Sequence, residues 1–288
     1  MGDLALAVPF LRSASLHADV TLLAKPHAAP LINRFAPGVA HVPLIAPWTA
    51  FTGKYRLHRW PWRELRRAID ELRGRNFDFG VSGRRDPRDH LVLALAGARR
   101  RLGFPRAGST LLLTTRLQPP SQPHRSDYWQ GLASALGWSL APPEDRLERG
   151  RHIVIHPGAG HPVRIWPIER FRDLGQRLST KGWHVEWADP DSDDLDALFA
   201  QLSRADRFIG NDSGPGHIAA LLGIPTFTIF GPQRPDFFAP RHPRSAWIEG
   251  MPCSYRPCFD RCRFTEPFCI RDLTLKAVWP KVAAWLGT

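Results

Sequence analysis

The stretch Gly210-Asn211-Asp212-Ser213-Gly214-Pro215-Gly216-His217-Ile218-Ala219-Ala220 decides the reading of this chain. It follows a strand-like run, Asp206-Arg207-Phe208-Ile209. It opens an apolar helical run that ends at Gly223-Ile224-Pro225, before a β-rich run from Thr226 to Gly231. The order is strand, glycine turn, helix, strand. At such a turn the free backbone N–H groups and the positive end of the helix dipole converge, which favours an anion. Gly214 and Gly216 carry no side chain that would keep a diphosphate away. Asp212 can accept from a hydroxyl and Ser213 can donate to phosphate. The same residues also suit an ordinary strand-to-helix connection, and the turn alone does not separate the two readings.

Working outward, the second half of the chain alternates strand and helix. His152-Ile153-Val154-Ile155 reads as a buried strand, Ile168 to Leu178 has helical spacing, Trp183 to Ala188 returns as a strand, and Asp194 to Leu202 is helical again. This βαβ series predicts a parallel sheet with right-handed crossovers. The first half repeats the grammar with a helix from Leu4 to about Ser15, a strand Val20–Ala24, a helix Trp62–Leu72 and a strand Phe77–Ser82. A polar, proline-bearing stretch, Ala141 to Arg146, lies between the halves. The predicted domains are therefore residues 1–143 and 144–288 of an α/β protein.

A chain of 288 residues with 43% hydrophobic content suffices for two such domains, each with its own core. The net charge of +12 points to anionic partners: nucleic acid, a phospholipid surface or a phosphorylated substrate. Lys25, Lys54, Lys181, Lys276 and Lys281 are the only lysines, so part of this arginine-borne charge is compositional background. The segment Arg56–Arg73 interleaves arginine with Trp60 and Trp62, but its helical spacing predicts a basic amphipathic surface helix rather than a base-stacking platform. The apolar run Leu4–Leu11 is short and has no basic residue before it, unlike a signal peptide. No apolar stretch approaches the roughly 20 residues needed to span a bilayer. The expectation is a soluble, cytoplasmic protein. All four cysteines, Cys253, Cys258, Cys262 and Cys269, cluster near the C-terminus. They read as a metal site or as packed, reduced thiols before disulfides, and the spacing is not the paired C-x₂-C of common zinc ribbons.

A second segment, His156-Pro157-Gly158-Ala159-Gly160-His161-Pro162-Val163-Arg164-Ile165-Trp166-Pro167, lies at the carboxyl end of a predicted strand, where open α/β sheets bind ligands. Its small residues, Ala159 and Gly160, let backbone N–H groups approach a ligand, and Arg164 is a natural phosphate clamp because guanidinium bonds phosphate bidentately.

Together the two segments resemble glycosyltransferase family 9, the lipopolysaccharide heptosyltransferase family. That family has a His-Pro-Gly-Ala stretch with a following basic residue and Trp-Pro, here His156–Ala159, Arg164 and Trp166-Pro167. Its Asp-Ser/Thr-Gly-x-x-His turn is here Asp212–His217, and its Phe-Gly-Pro is Phe230-Gly231-Pro232. Gly2-Asp3 through Pro9 is similar to the family's Gly-Asp-x-x-x-x-x-Pro start, and the cysteine cluster recurs in relatives. The resemblance implies a GT-B fold, two Rossmann-like α/β/α domains facing a cleft, the N-terminal one for acceptor and the C-terminal one for nucleotide-sugar. It implies inverting heptose transfer without metal or other cofactor, from a nucleotide-activated donor such as ADP-heptose to an anionic lipopolysaccharide core glycolipid. Asp3 matches the catalytic base. Ala159, Gly160, Arg164, Asp212, Ser213, Gly214, Pro215 and His217 would hold the donor, though Pro215 has no N–H to offer. His217 remains open between a ligand contact and a buried structural histidine. The implied partners are that donor and acceptor, with peripheral contact at the inner membrane face and no nucleic acid. The alternative is a non-catalytic sugar-nucleotide-binding relative. Three departures accompany the resemblance. No strand precedes Gly2-Asp3, so the first sheet is expected to lack a central member and Asp3 to lie near a fraying end. Arginine stands at 164 where lysine is usual. The stretch Trp187 to Asp194 is short, leaving Asp189 or Asp191 to meet a ribose.

Overall fold

The computed structural model of the chain describes residues 1–50, 55–121 and 124–287. They form two compact units, one of Ala7–Ala141 and one of Pro142–Thr288 joined by Met1–Leu6.

The first unit runs through α1 (Gly2–Ser15, whose first residues belong with the other unit), β1 (Val20–Ala24), α2 (Ala29–Phe35), β2 (Val39–Pro43), α3 (Trp62–Arg73), β3 (Phe79–Ser82), α4 (Pro87–Leu95), β4 (Arg100–Gly103), β5 (Thr115–Arg116) and α5 (Arg125–Ala135). Its strands pair in parallel, but as two separate sheets, β1-β2 and β3-β4-β5. Val42 and Leu44 share one core with Leu65 and Leu72 of α3 and Val92 of α4, so the fragments are held by helix packing. The helix α3 buries Leu65, Ala68 and Leu72 on one face and turns its arginines outward, as the spacing predicts. Trp60 packs between Trp48 and Trp62, with ring centroids 5.5 and 5.2 Å away, so this tryptophan is engaged in an aromatic cluster.

The second unit contains β6 (His152–His156), α6 (Ile168–Thr180), β7 (His184–Trp187), α7 (Leu195–Arg204), β8 (Arg207–Asn211), α8 (Gly214–Leu221), β9 (Thr226–Phe230), α9 (Pro235–Phe238), β10 (Ala246–Glu249), α10 (Phe268–Arg271) and α11 (Leu275–Leu286). Asp194 starts α7 by accepting from the N–H groups of Asp196 and Ala197 at 3.0 Å, a favoured cap. Gly287, at φ +72°, ends α11 in the left-handed conformation that glycine tolerates. Every residue of β8 and β9 is buried, as expected of strands covered on both faces. Ile153, Ile155, Ile209, Phe227 and Ile229 from the strands meet Phe171, Leu174 and Leu178 of α6 and Val278 and Val282 of α11 in one core.

The sheet is parallel, in the order β10-β9-β8-β6-β7. From β6 the chain winds to one edge through β7, then from β8 to the other edge through β9 and β10. The direction therefore reverses between β6 and β8, and a doubly wound sheet opens its ligand crevice at the carboxyl ends of the strands at that point. Among the described residues no helix is long and apolar enough to cross a membrane.

Candidate functional site

Both sequence segments emerge at this reversal point. The loop after β6 carries Ala159, Gly160 and Arg164, and the turn after β8 carries Asp212, Ser213 and Gly214. Asn211, the last residue of β8, ties them together. Its Oδ1 accepts from the Trp166 N–H at 3.0 Å and its Nδ2 donates to the Pro157 carbonyl at 2.6 Å. Trp166 is fully buried and anchors the loop's far end by donating from Nε1 to the Leu273 carbonyl at 2.7 Å. Glycine is required at Gly158, where a Cβ would lie 2.9 Å from the Pro190 Cα, whereas a Cβ at Gly160 would meet open space. Gly158 thus serves packing within the chain, while the space beside Gly160 is open.

Arg164 is clamped between two carboxylates. Its Nε donates to Asp260 Oδ1 at 2.6 Å, its Nη2 to Asp260 Oδ2 at 2.5 Å and its Nη1 to Asp212 Oδ2 at 3.2 Å. Nη1 and Nη2 each retain an N–H beyond these bonds, and the side chain is 22% exposed. Burial works against its charge, but the hydrogen bond to Asp260 and the charges of Asp212, Asp260 and Asp3 hold its pKa above the ordinary value. Gln233, itself buried, donates to Asp260 Oδ1 at 3.2 Å and fixes that carboxylate from the other side. Burial, with the nearby charges of Asp260 and Asp3, lifts the Asp212 pKa to about 6 against the pull of Arg164. Asp260 and Gln233 are absent from the sequence reading because they reach the site from far along the chain; no local motif marks them.

Ser213 stands at the N-cap of α8, yet its side chain does not cap the helix. Its Oγ is buried and makes no hydrogen bond among the described residues. The Asp212 N–H is used in the sheet, donating to the Ile229 carbonyl at 3.2 Å. The N–H groups aimed out of the turn therefore begin at Ser213 and continue through the first turn of α8, Pro215 excepted. The side chain missing at Gly214 leaves room for Met1, whose Cβ would lie 2.9 Å from an added Cβ there. His217 is buried against Gly2 in the same way, at 2.9 Å from an added Cβ. Asp3 thus enters as an exposed residue in the first turn of α1, with its charge felt at both Arg164 and Asp212. Asp189 and Asp191 are exposed in the turn after β7, where Asp189 Oδ1 accepts from the Asp191 N–H at 2.9 Å.

Parallel βαβ units with a crevice at the sheet's reversal point are the architecture of a Rossmann-like half of a GT-B fold. Solved structures agree across nearly the whole chain. The glycosyltransferase of family 9 from Veillonella parvula matches with a TM-score of 0.74 at 17% identity, covering 99% of this chain and 94% of that one. The Escherichia coli heptosyltransferase WaaC with ADP matches with a TM-score of 0.71 at 16% identity, covering 99% and 96%. In sequence, the model of glycosyltransferase family 9 (heptosyltransferase) matches residues 192–267. Lipopolysaccharide heptosyltransferase 1 of Pseudomonas aeruginosa is 25% identical over 137 residues, 40% of this chain and 38% of that relative. The chain thus aligns with less than half the length of that curated relative. By these matches the chain has the GT-B fold and, over residues 192–267, is similar to glycosyltransferase family 9.

Proposed function

We propose that the protein is an inverting glycosyltransferase that moves heptose from ADP-heptose to an anionic lipopolysaccharide core acceptor, without a metal in the transfer step. The observation that carries this reading is the convergence at the sheet's reversal point of Arg164, the Ser213 Oγ, which has no partner among the described residues, and the first turn of α8. These are donors suited to a diphosphate, and such pre-arranged donors stabilise negative charge as it develops on a leaving group. ADP as the leaving nucleotide is supported by the ADP in the WaaC structure.

In this reading the remaining N–H groups of Arg164, with those of Ser213 and Gly214, take the charge that a divalent cation would otherwise balance. Asp212 accepts from a sugar hydroxyl beside the anomeric carbon. Asp3 accepts the proton of the acceptor hydroxyl as that oxygen attacks, while the carbon gains oxocarbenium character and the bond to the diphosphate breaks. The arginine-rich surface would favour an anionic acceptor at a membrane face.

The test is incubation with ADP-heptose and a heptose-free core acceptor, with the product read by mass spectrometry. A product heavier by one heptose, abolished in Asp3→Asn with ADP binding retained, is the expected result. ADP binding without any transfer would sink the enzyme reading and leave a sugar-nucleotide-binding protein.

A further inference from the structure

In the first unit the segment Gly83-Arg84-Arg85-Asp86 leaves the carboxyl end of β3, and Phe104-Pro105-Arg106 leaves the carboxyl end of its neighbour β4. Carboxyl ends of parallel strands are where open α/β sheets bind ligands. Three arginines, Arg84, Arg85 and Arg88, and two carboxylates, Asp86 and Asp89, lie between β3 and the first turn of α4. Arg88 takes both oxygens of Asp86, donating from Nε to Oδ1 at 2.8 Å and from Nη2 to Oδ2 at 2.7 Å. Asp89 accepts from Trp48 Nε1 at 2.6 Å and pairs with Arg84 at 3.1 Å. Both carboxylates are thereby engaged, and Arg85 is left without one among the described residues.

Arg85 is half-buried, and its Nε is buried with no hydrogen-bond partner among the described residues. Its bond from Nη2 to the Pro105 carbonyl spans 3.5 Å, the outer limit of a hydrogen bond. A guanidinium carries five N–H donors and a charge that it does not shed, and a charge drawn out of water is ordinarily paired. The loops around it are fixed. Ser82 Oγ accepts from the Arg84 N–H at 3.2 Å, and Gly83 lies so close to the Trp129 ring that an added Cβ would stand 2.8 Å from it. At the end of β4, Ser109 Oγ accepts from the Arg106 N–H at 3.0 Å and bonds His90 Nδ1 at 2.9 Å. Between Arg106 and Ser109, Ala107 is a non-glycine residue at φ 49°, in the left-handed region, and such residues cluster where ligands are held.

We propose that Arg85 holds an oxyanion of the acceptor, a phosphate or carboxylate group, at the carboxyl ends of β3 and β4. A guanidinium matches either group in a two-point contact. The bound anion is the counter-charge that no carboxylate among the described residues provides. Arg84 and Arg88 stand on either side in sequence, but their guanidinium groups are already neutralised by Asp89 and Asp86. That the anion belongs to the acceptor rests on the transferase reading proposed above, with the acceptor at the first unit; the anion site rests on the geometry of Arg85.

The test uses the full chain and two probes. Inorganic phosphate, added at constant ionic strength, should raise the melting temperature of wild type more than that of Arg85→Gln, because an ion bound by the native state alone stabilises it. Arg164→Ala should keep this difference, since Arg164 lies in the other unit. A heptose-free core acceptor should bind Arg85→Gln weaker by about tenfold or more, with Arg85→Lys recovering part of the loss and ADP affinity unchanged. Arg63→Gln, which removes an exposed arginine of the same unit, should alter acceptor affinity by less than about twofold. Losing an unpaired charge should leave Arg85→Gln folded, with circular dichroism as the check and Arg85→Lys as the second variant. Equal phosphate stabilisation in wild type and Arg85→Gln overturns the anion site. An Arg85-dependent phosphate effect with equal acceptor affinity, or an equal loss in Arg63→Gln, overturns its assignment to the acceptor. Phosphatase treatment of the acceptor separates the two anions: the dependence on Arg85 disappears if a phosphate is held and survives if a carboxylate is. The phosphate measurement needs no transfer, so its failure is distinct from failure of the proposed function.

Discussion

Arg164 shows how one side chain can be legible in sequence while its surroundings are not. Its position in the loop after β6 singles it out as a phosphate clamp, but its two carboxylate partners, Asp260 and Asp212, come from two other loops. Charge-assisted bonds of this kind are worth roughly 1.5–3 kcal/mol each. Arg164→Ala is therefore expected to weaken ADP binding at least tenfold by calorimetry, and Arg164→Lys to recover only part of it, because an ammonium cannot hold Asp260 bidentately. Asp212 carries a second prediction. Its pKa rises from 3.8 to about 6 on folding, so the native chain holds the extra proton between those values. Stability then falls as pH rises through that window, and the loss is complete above it. Asp212→Asn removes the penalty. Its melting temperature at pH 7.5 should exceed wild type by a margin worth roughly 1–3 kcal/mol, discounted for the lost pair with Arg164, and the gain should vanish below pH 4. A margin independent of pH would contradict this.

At the scale of elements, alternation predicts β6, α6, β7, α7, β8 and α8 well, because their apolar periods are long and their caps local. What alternation cannot give is strand order, and the order places the site. Two loops separated by two crossovers, through α6 and α7, become neighbours only because β6 pairs with β8. Asn211 makes that neighbourhood rigid. It belongs to the stretch that opened the sequence reading, yet its role was hidden because both its partners lie on the other loop. Asn211→Ala leaves a buried N–H and a buried carbonyl without their partners, at about 1–3 kcal/mol for each unsatisfied group. The expected result is a loss of roughly 2–4 kcal/mol from the second unit in denaturant melts, together with weaker ADP binding, since the loop bearing Arg164 is released. Loss of stability with unaltered ADP affinity would show that the loop keeps its shape by other contacts.

At the scale of the whole molecule, the motifs that carried the family resemblance outlined the GT-B class, and the comparisons and the parallel sheets support it. The second unit is the more legible half, since its strands are buried on both faces and read as unbroken apolar runs. The first unit is less so: its strands are short and mostly half-buried, and burial pattern alone gives no sign that they form two sheets instead of one. That division has a kinetic consequence. A strand in the middle of a sheet exchanges its amide protons only when the sheet opens, whereas a strand with one ladder exchanges through smaller, local openings. In β1 and β3, each paired in a ladder on one side alone among the described residues, the amides should exchange for deuterium well before those of β8 and β9. Equal protection across the four strands would mean that the two halves of the molecule open as a single cooperative body. The graded pattern would mean that the first unit breathes while the second stays shut.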